Sequence, residues 1–273
     1  MSDTESRLSR RQLAALDAMG IPVWVPRPGF AMPPQEQGEA RTQAAVETPV
    51  GVPSPVVQAT SPPVVDVAPA MDVATPLPDW ASLEREAMAC TRCALHQTRT
   101  KVVFGVGDRA ARWLVIGEAP GADEDRQGEP FVGRAGQLLN EMLFATGASR
   151  EQVYIANILK CRPPDNRDPR PEEARSCEGF LRRQLALVRP GLILAVGRIA
   201  AQNLLGVDTP IGQLRGRVHQ YGPDRIPLVV TYHPAYLLRS PGQKRKSWDD
   251  LRLAIATVPP LARASGKAAR DER

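Results

Sequence analysis

Four short apolar runs, each ending in a polar loop ahead of a helical segment, constrain this chain more than any other feature. They are Arg112 to Gly117 (RWLVIG), Val153 to Ile158 (VYIANI), Leu192 to Gly197 (LILAVG) and Pro227 to Tyr232 (PLVVTY). Runs without polar alternation belong to strands covered on both faces, the setting of a parallel sheet. The cover comes from the intervening helices. Ala135 to Thr146 carries Leu138, Leu139, Met142 and Leu143 on one face and stops before Gly147. A longer helix opens at Pro171 with Glu172 and Glu173 at the positive end of its dipole and is ended by Pro190. Two more follow, Arg198 to Leu205 and Ser247 to Thr257. The expected fold is α/β: three α/β/α layers around a central four-stranded parallel sheet.

Thirteen of the 27 prolines fall between Ile21 and Trp80, in a stretch with no apolar period that a core could use. The expected organisation is therefore a short peptide over residues 1–28, a disordered Pro-rich linker over 29–80, one folded domain over 81–260 and a basic tail over 261–273. The net charge of +5 is compatible with a polyanionic partner but is too small to identify one. The first residues, MSDTESRLSRRQ, lack the apolar run of a leader, and no apolar window reaches membrane-spanning length. A cytoplasmic protein without a membrane partner is expected, and there cysteines are read for metal or redox chemistry before disulfides.

In open parallel sheets ligands bind beyond the carboxyl ends of the strands. The loops at those ends read GEAPG, NILKCRPP, VGR and HPAYLL, and three of the four hold polar residues that a mere connection does not need. The cysteines run Cys90-x2-Cys93, then Cys161, then Cys177 after fifteen intervening residues, and none lies in an apolar strand. Four thiolates with one such pair suit tetrahedral zinc or a four-iron cluster. Ligands at a strand end and inside a helix, in place of two short hairpin pairs, favour the cluster.

The segments GEAPGADEDRQGEPFVGRAGQLLN, VYIANILKCRPPDNRDP and TYHPAYLLRSP, with the four cysteines, make the chain similar to the family 4 uracil-DNA glycosylases from Cys90 to Leu253. The resemblance implies a uracil-DNA glycosylase-like fold and a monomeric hydrolase. Its activity would break the N-glycosidic bond of deoxyuridine in single- or double-stranded DNA, releasing uracil, leaving an abasic site and initiating base excision repair. It also implies a [4Fe-4S] cluster on Cys90, Cys93, Cys161 and Cys177. Such an enzyme must extrude its target nucleotide and read the base edge in a fitted pocket.

Residue by residue, the resemblance places Gly117, Ala119, Phe131, Asn157 and His233 around uracil. A side-chain amide at Asn157 offers a donor and an acceptor to O4 and N3–H, a pattern that cytosine reverses. Phe131 would stack on the base, and His233 would face uracil O2, where negative charge develops. Glu118 is the candidate for positioning water and stabilising the cationic sugar; the position after it, where better-known uracil glycosylases carry an aspartate, is Ala119. Asp123, Glu124 and Asp125 read as a solvated helix start. Leu237 would wedge into the duplex, with Leu238 as the alternative, while Arg239, Lys244, Arg245 and Lys246 would follow phosphates.

Ser9 to Arg27 reads as an amphipathic helix, a glycine stop and an extended Val-Trp-Val segment. It resembles the N-terminal peptide of the DNA polymerase III psi subunit, which implies docking of residues 9–27 on the chi subunit or on single-strand-binding machinery. Two other functions compete with hydrolysis. A zinc-dependent deaminase needs H-x-E and a later P-C-x-x-C, and neither is present. A uracil-DNA binder trapped covalently through a loop histidine needs an insertion and a histidine that NILKCRPPDNRDP lacks.

Overall fold

The structure, a computed structural model, describes residues 10–18, 20–21 and 79–260. Most of the expected linker (29–78), the Val-Trp-Val segment (23–25) and the basic tail (261–273) lie outside the described residues. Within them one sheet contains β1 (Val106–Gly107), β2 (Trp113–Gly117), β3 (Tyr154–Asn157), β4 (Leu192–Val196), β5 (Val218–Tyr221) and β6 (Ile226–Thr231). Their order is β1-β3-β2-β4-β6-β5. The four apolar runs are the central strands, β3-β2-β4-β6, and they pair in parallel. Antiparallel β1 and β5 extend the sheet to six strands rather than four. Both carry a weak sequence signal: β1 is a two-residue Val-Gly pair, and β5 (VHQY) alternates exposed and half-buried side chains.

Side chains of each central strand point alternately to the two faces. Trp113, Val115, Ile155, Leu194 and Val229 pack toward α4 (Arg134–Ala145) and α9 (Lys244–Thr257), while Leu114, Ile116, Ala156, Ile193 and Val230 pack toward α5 (Pro171–Val188) and α6 (Arg198–Leu205). This is the expected three-layer α/β/α architecture. A third apolar cluster forms where α2 (Trp80–Met88), capped by the Asp79 carboxylate, meets α5: Leu83, Phe104, Leu159 and Phe180 enclose Cys161 and Cys177. Among the described residues no helix is long and apolar enough to cross a membrane.

Helix α1 (Arg10–Ala18) belongs to the same compact unit as the sheet. Ala15, Leu16 and Ile21 are buried in the cluster that contains Leu139, Met142 and Leu143 of α4. Gly20, in the left-handed region, turns the chain so that Ile21 N–H donates to Leu16 O at 2.9 Å. Gln12 Nε2 donates to Ala145 O at 3.4 Å, reaching a carbonyl in the last turn of α4. Of the segment expected to dock on a chi or single-strand-binding partner, residues 22–27 lie outside the described residues, while α1 packs within the domain. The apolar face of its helix is covered in cis, because α4 presents apolar residues on the side turned away from the sheet as well.

Candidate active site

Parallel pairing of β2 with β3 sets Gly117 opposite Asn157 at the carboxyl ends of both strands. The pairing continues past the strands: Ile158 N–H donates to Gly117 O at 2.9 Å and Leu159 N–H to Glu118 O at 3.1 Å, so the GEAPG loop and the NILK loop are laced together. A Cβ on Gly117 would lie 2.4 Å from Asn157 Oδ1 and 2.6 Å from Phe131 Cζ. Bare backbone, amide and aromatic ring therefore meet at one point. Asn157 is 2% exposed, and its Oδ1 has no hydrogen-bond partner in the protein. Leaving a buried acceptor unpaired costs about 1–3 kcal/mol, a cost found where a ligand completes the bonding.

Phe131 is buried and has a φ of 55°, in the left-handed region that disfavours side chains. Its ring stacks on that of His233, with centroids 5.6 Å apart and planes inclined by 30°. His233 caps α8 (Pro234–Arg239), its Nδ1 accepting the Ala235 N–H at 3.1 Å. With Nδ1 used as acceptor, the neutral ring carries its proton on Nε2. Burial, with a smaller contribution from Arg239, lowers the His233 pKa to about 4, so this neutral donor persists through the physiological range. Gly197, at the end of β4 with a φ of 100°, leaves room for the ring: a Cβ there would be 3.1 Å from His233 Cβ.

Glu118 is half-buried and lies within electrostatic reach of Asp168, in the loop after β3, and of Arg198, at the start of α6. Its pKa is raised to about 7, first by burial and then by the Asp168 carboxylate, with Arg198 opposing. Arg198 is itself paired with Asp168 at 2.8 Å. Ala119, also half-buried, packs against the cluster around Cys161 and Cys177.

Leu237 requires a correction. It is 0% exposed and belongs to the core beside α4, so it cannot enter a duplex; Leu238 is 37% exposed. Neighbouring positions on a helix point about 100° apart, and α8 turns the first leucine inward. Arg239 is exposed at the end of α8. The acidic helix start is corrected too. In α3 (Ala122–Gln127), Asp125 is 2% exposed and accepts the Thr100 N–H at 2.9 Å, tying down the segment after the first two cysteines. Glu124 bonds the backbone on both sides of the pocket. Its G-x-x-E spacing from Gly121 is the helix-capping signal that the sequence reading passed over.

Cys90, Cys93, Cys161 and Cys177 line one site together with His96, Arg99 and Lys160. Arg99 Nη1 donates to Cys161 Sγ at 3.1 Å, and Lys160 N–H donates to Cys177 Sγ at 3.3 Å. Burial pushes the Cys177 thiol up to about 11 and raises that of Cys161. Lys160 is fully buried, and its Nζ donates to Asn157 O at 2.8 Å, linking the cysteine centre to the amide residue. Among the described residues no group of three or more His, Cys, Asp or Glu side chains converges to hold a single metal ion. Lys160 and Arg99 escaped the sequence reading because a basic residue near a cysteine is ordinarily solvated.

The model of the uracil DNA glycosylase superfamily matches residues 104–252, which span all six strands. The chain is 47% identical over 175 residues to a type-4 uracil-DNA glycosylase of Archaeoglobus fulgidus, covering 62% of this chain and 87% of that protein. It is 45% identical over 153 residues to the type-4 enzyme of Thermotoga maritima, covering 55% and 79%. With the type-4 enzyme of Pyrobaculum aerophilum the figures are 39% over 181 residues, 64% and 92%. Relatives this similar over most of their length, together with a family match over residues 104–252 that takes in Gly117, Asn157 and His233, show that the chain belongs to the uracil-DNA glycosylase superfamily and, within it, to the type-4 uracil-DNA glycosylases.

Proposed function

We propose that this chain hydrolyses the bond between uracil and deoxyribose in DNA, with Asn157, Phe131 and His233 forming the base pocket. The observation that carries this reading is the orphaned Oδ1 of Asn157, buried between Gly117 and the Phe131 ring. Uracil N3–H supplies the missing donor and O4 accepts from the amide nitrogen, whereas cytosine presents an acceptor at N3 and a donor at C4. Such a mismatch leaves buried groups unpaired, about 1–3 kcal/mol each.

As the glycosidic bond breaks, electrons move onto the departing base and positive charge develops on the sugar. His233 donates from Nε2 to O2 of the base, a bond that strengthens as the oxygen becomes anionic. A neutral donor is stable here because burial, which lowers the His233 pKa, disfavours the imidazolium. Glu118, once ionised, stabilises the cationic sugar and orients the attacking water; a carboxyl held near neutral pH is a stronger base than an exposed one. Leu238, on the exposed side of α8, is the wedge, with Arg239 toward the phosphates.

The four cysteines suit a [4Fe-4S] cluster: all four line one site, and the buried Lys160 ammonium beside them needs a negative counter-charge, which thiolate ligation would supply. A cluster there would serve structure, since glycosidic hydrolysis moves no electrons between donor and acceptor: Cys90 and Cys93 after α2 and Cys177 in α5 would hold it against Cys161 in the loop that follows Asn157. The deciding experiment is alkaline cleavage of uracil-containing single- and double-stranded oligonucleotides after incubation with wild type and Asn157→Ala. Strand cleavage only with wild type is expected; none with metal-loaded wild type would overturn the reading, and a protein–DNA band that persists on a denaturing gel would replace it with a trapped binder.

A further inference from the structure

We propose that Glu124 and Arg150 form a two-sided clamp that holds Phe131 in its left-handed conformation and thereby sets the stacking wall of the uracil pocket. The inference rests on the reading of Phe131 as the stacking ring. Phe131 has a φ of 55°, and nothing in its own side chain favours that region over ordinary extended or helical backbone. The surroundings must impose it.

One backbone group on each of four consecutive residues, 130–133, is matched to one of two opposite charges. Arg150 Nη1 donates to Phe131 O at 3.1 Å and Nη2 donates to Pro130 O. On the following residues, Glu124 Oε1 accepts the Val132 N–H at 3.0 Å and the Gly133 N–H at 3.2 Å. The planar guanidinium fork spans two adjacent carbonyls, and one carboxylate oxygen gathers two adjacent N–H groups, so the turn is fixed from both ends. The other Glu124 oxygen accepts the Gly121 N–H at 3.1 Å, so the carboxylate also ties the Phe131 turn to the end of the GEAPG loop. The pocket's ring and the loop that forms its floor are thus held by one side chain.

The packing leaves Phe131 O little freedom: a Cβ on Gly136, in the first turn of α4, would lie 1.7 Å from it. Arg150 approaches from the turn that leads into β3, the strand that ends at Asn157. Glu124 and Arg150 are positioning residues, since they act on the pocket through the backbone around Phe131. Displacement of a ring by about 1 Å is enough to cost roughly 100-fold in rate.

The test is a double-mutant cycle on single-turnover uracil release from DNA, with thermal midpoints measured for every variant. Arg150→Met and Glu124→Gln are each expected to slow release by about 10–100-fold, with Arg150→Lys intermediate because an ammonium cannot span both carbonyls. In a Phe131→Ala background the same substitutions should cost less than about threefold, because there is no ring left to place. If the losses multiply in full in that background, or if Arg150→Met releases uracil at the wild-type rate, the clamp is wrong. If Phe131→Ala alone is as fast as wild type, the stacking role itself is wrong, a separate failure. Should Arg150→Met not fold, the cycle with Arg150→Lys decides by the same criterion.

Discussion

Gly117 and Asn157 are register partners on adjacent parallel strands, and the missing side chain of the first leaves the space into which the amide of the second projects. Gly117→Ala is therefore expected to force either Asn157 or Phe131 aside, costing about 1–3 kcal/mol of stability and about 100-fold or more in single-turnover rate. Asn157→Ala should keep the wild-type thermal midpoint within a few degrees while losing about 100-fold or more in rate. A folded Asn157→Ala protein that still releases uracil at the wild-type rate would rule out edge reading by this residue.

Glu118 and His233 are shifted in opposite directions by the same cause, burial, to about 7 and about 4. Single-turnover rate should rise with pH through about 7 as Glu118 ionises. That limb should survive in a slower His233→Asn enzyme and vanish in Glu118→Gln. The linkage to stability has a definite sign for each. Folded Glu118 binds its proton more tightly than the unfolded chain, so raising pH from about 4.5 to about 7 costs stability, and Glu118→Gln gains relative to wild type across that window. Folded His233 resists protonation, so stability is lost as pH falls from about 6.5 to about 4, and His233→Asn blunts that loss. Thermal midpoints across both windows check the two signs.

Leu237 and Leu238 are adjacent yet face opposite environments. Leu237→Ala should destabilise the fold by about 2–5 kcal/mol. Leu238→Ala should leave the thermal midpoint unchanged and slow uracil release from double-stranded DNA more than from single strands, where no partner base has to be replaced. Equal losses on both substrates would remove Leu238 as the wedge.

Cys161 and Cys177 sit in an apolar cluster shared by α2 and α5. Anaerobically purified protein is expected to show a broad visible absorption band and about four irons per chain, both lost in Cys161→Ser together with much of the thermal stability. Zinc in place of iron, with no visible band, would refute the cluster.

Leu16 is fully buried against α4. Leu16→Ala should lower stability by about 2–5 kcal/mol, read as a fall in the chemical-denaturation midpoint. A helix held ready for another protein would show no such loss in the isolated chain.

The central architecture was legible because its signals are local. Continuous five- or six-residue apolar runs such as LILAV, each bounded by a polar loop, read as strands covered on both faces, and Pro171 with Glu172 and Glu173 states where α5 begins. The edge strands were harder, since VHQY is only partly buried and draws its order from the hydrogen bonds of β6. At the site, the resemblance named Gly117, Phe131, Asn157 and His233, and Gly117 with Asn157 also follows from the rule that chemistry gathers at strand ends. Glu124 carried a signal in its G-x-x-E spacing, but Arg150 and Lys160 were out of reach, because a charged residue in a polar sequence looks alike whether it is solvated or bonded to backbone.

By itself the sequence determined that strands end in GEAPG, NILK and HPAYLL, that four cysteines flank these loops, and that a helix precedes Gly20. Each follows from spacing and composition along the chain. Only the tertiary structure decided which leucine of α8 faces out, that α1 packs on α4, that Glu124 and Asp125 of α3 hold backbone instead of water, and that Phe131 takes a left-handed turn. The physical reason is common to all four: each depends on what a side chain or backbone group meets across space, and the free energy of that meeting is set by packing and desolvation rather than by neighbours in sequence.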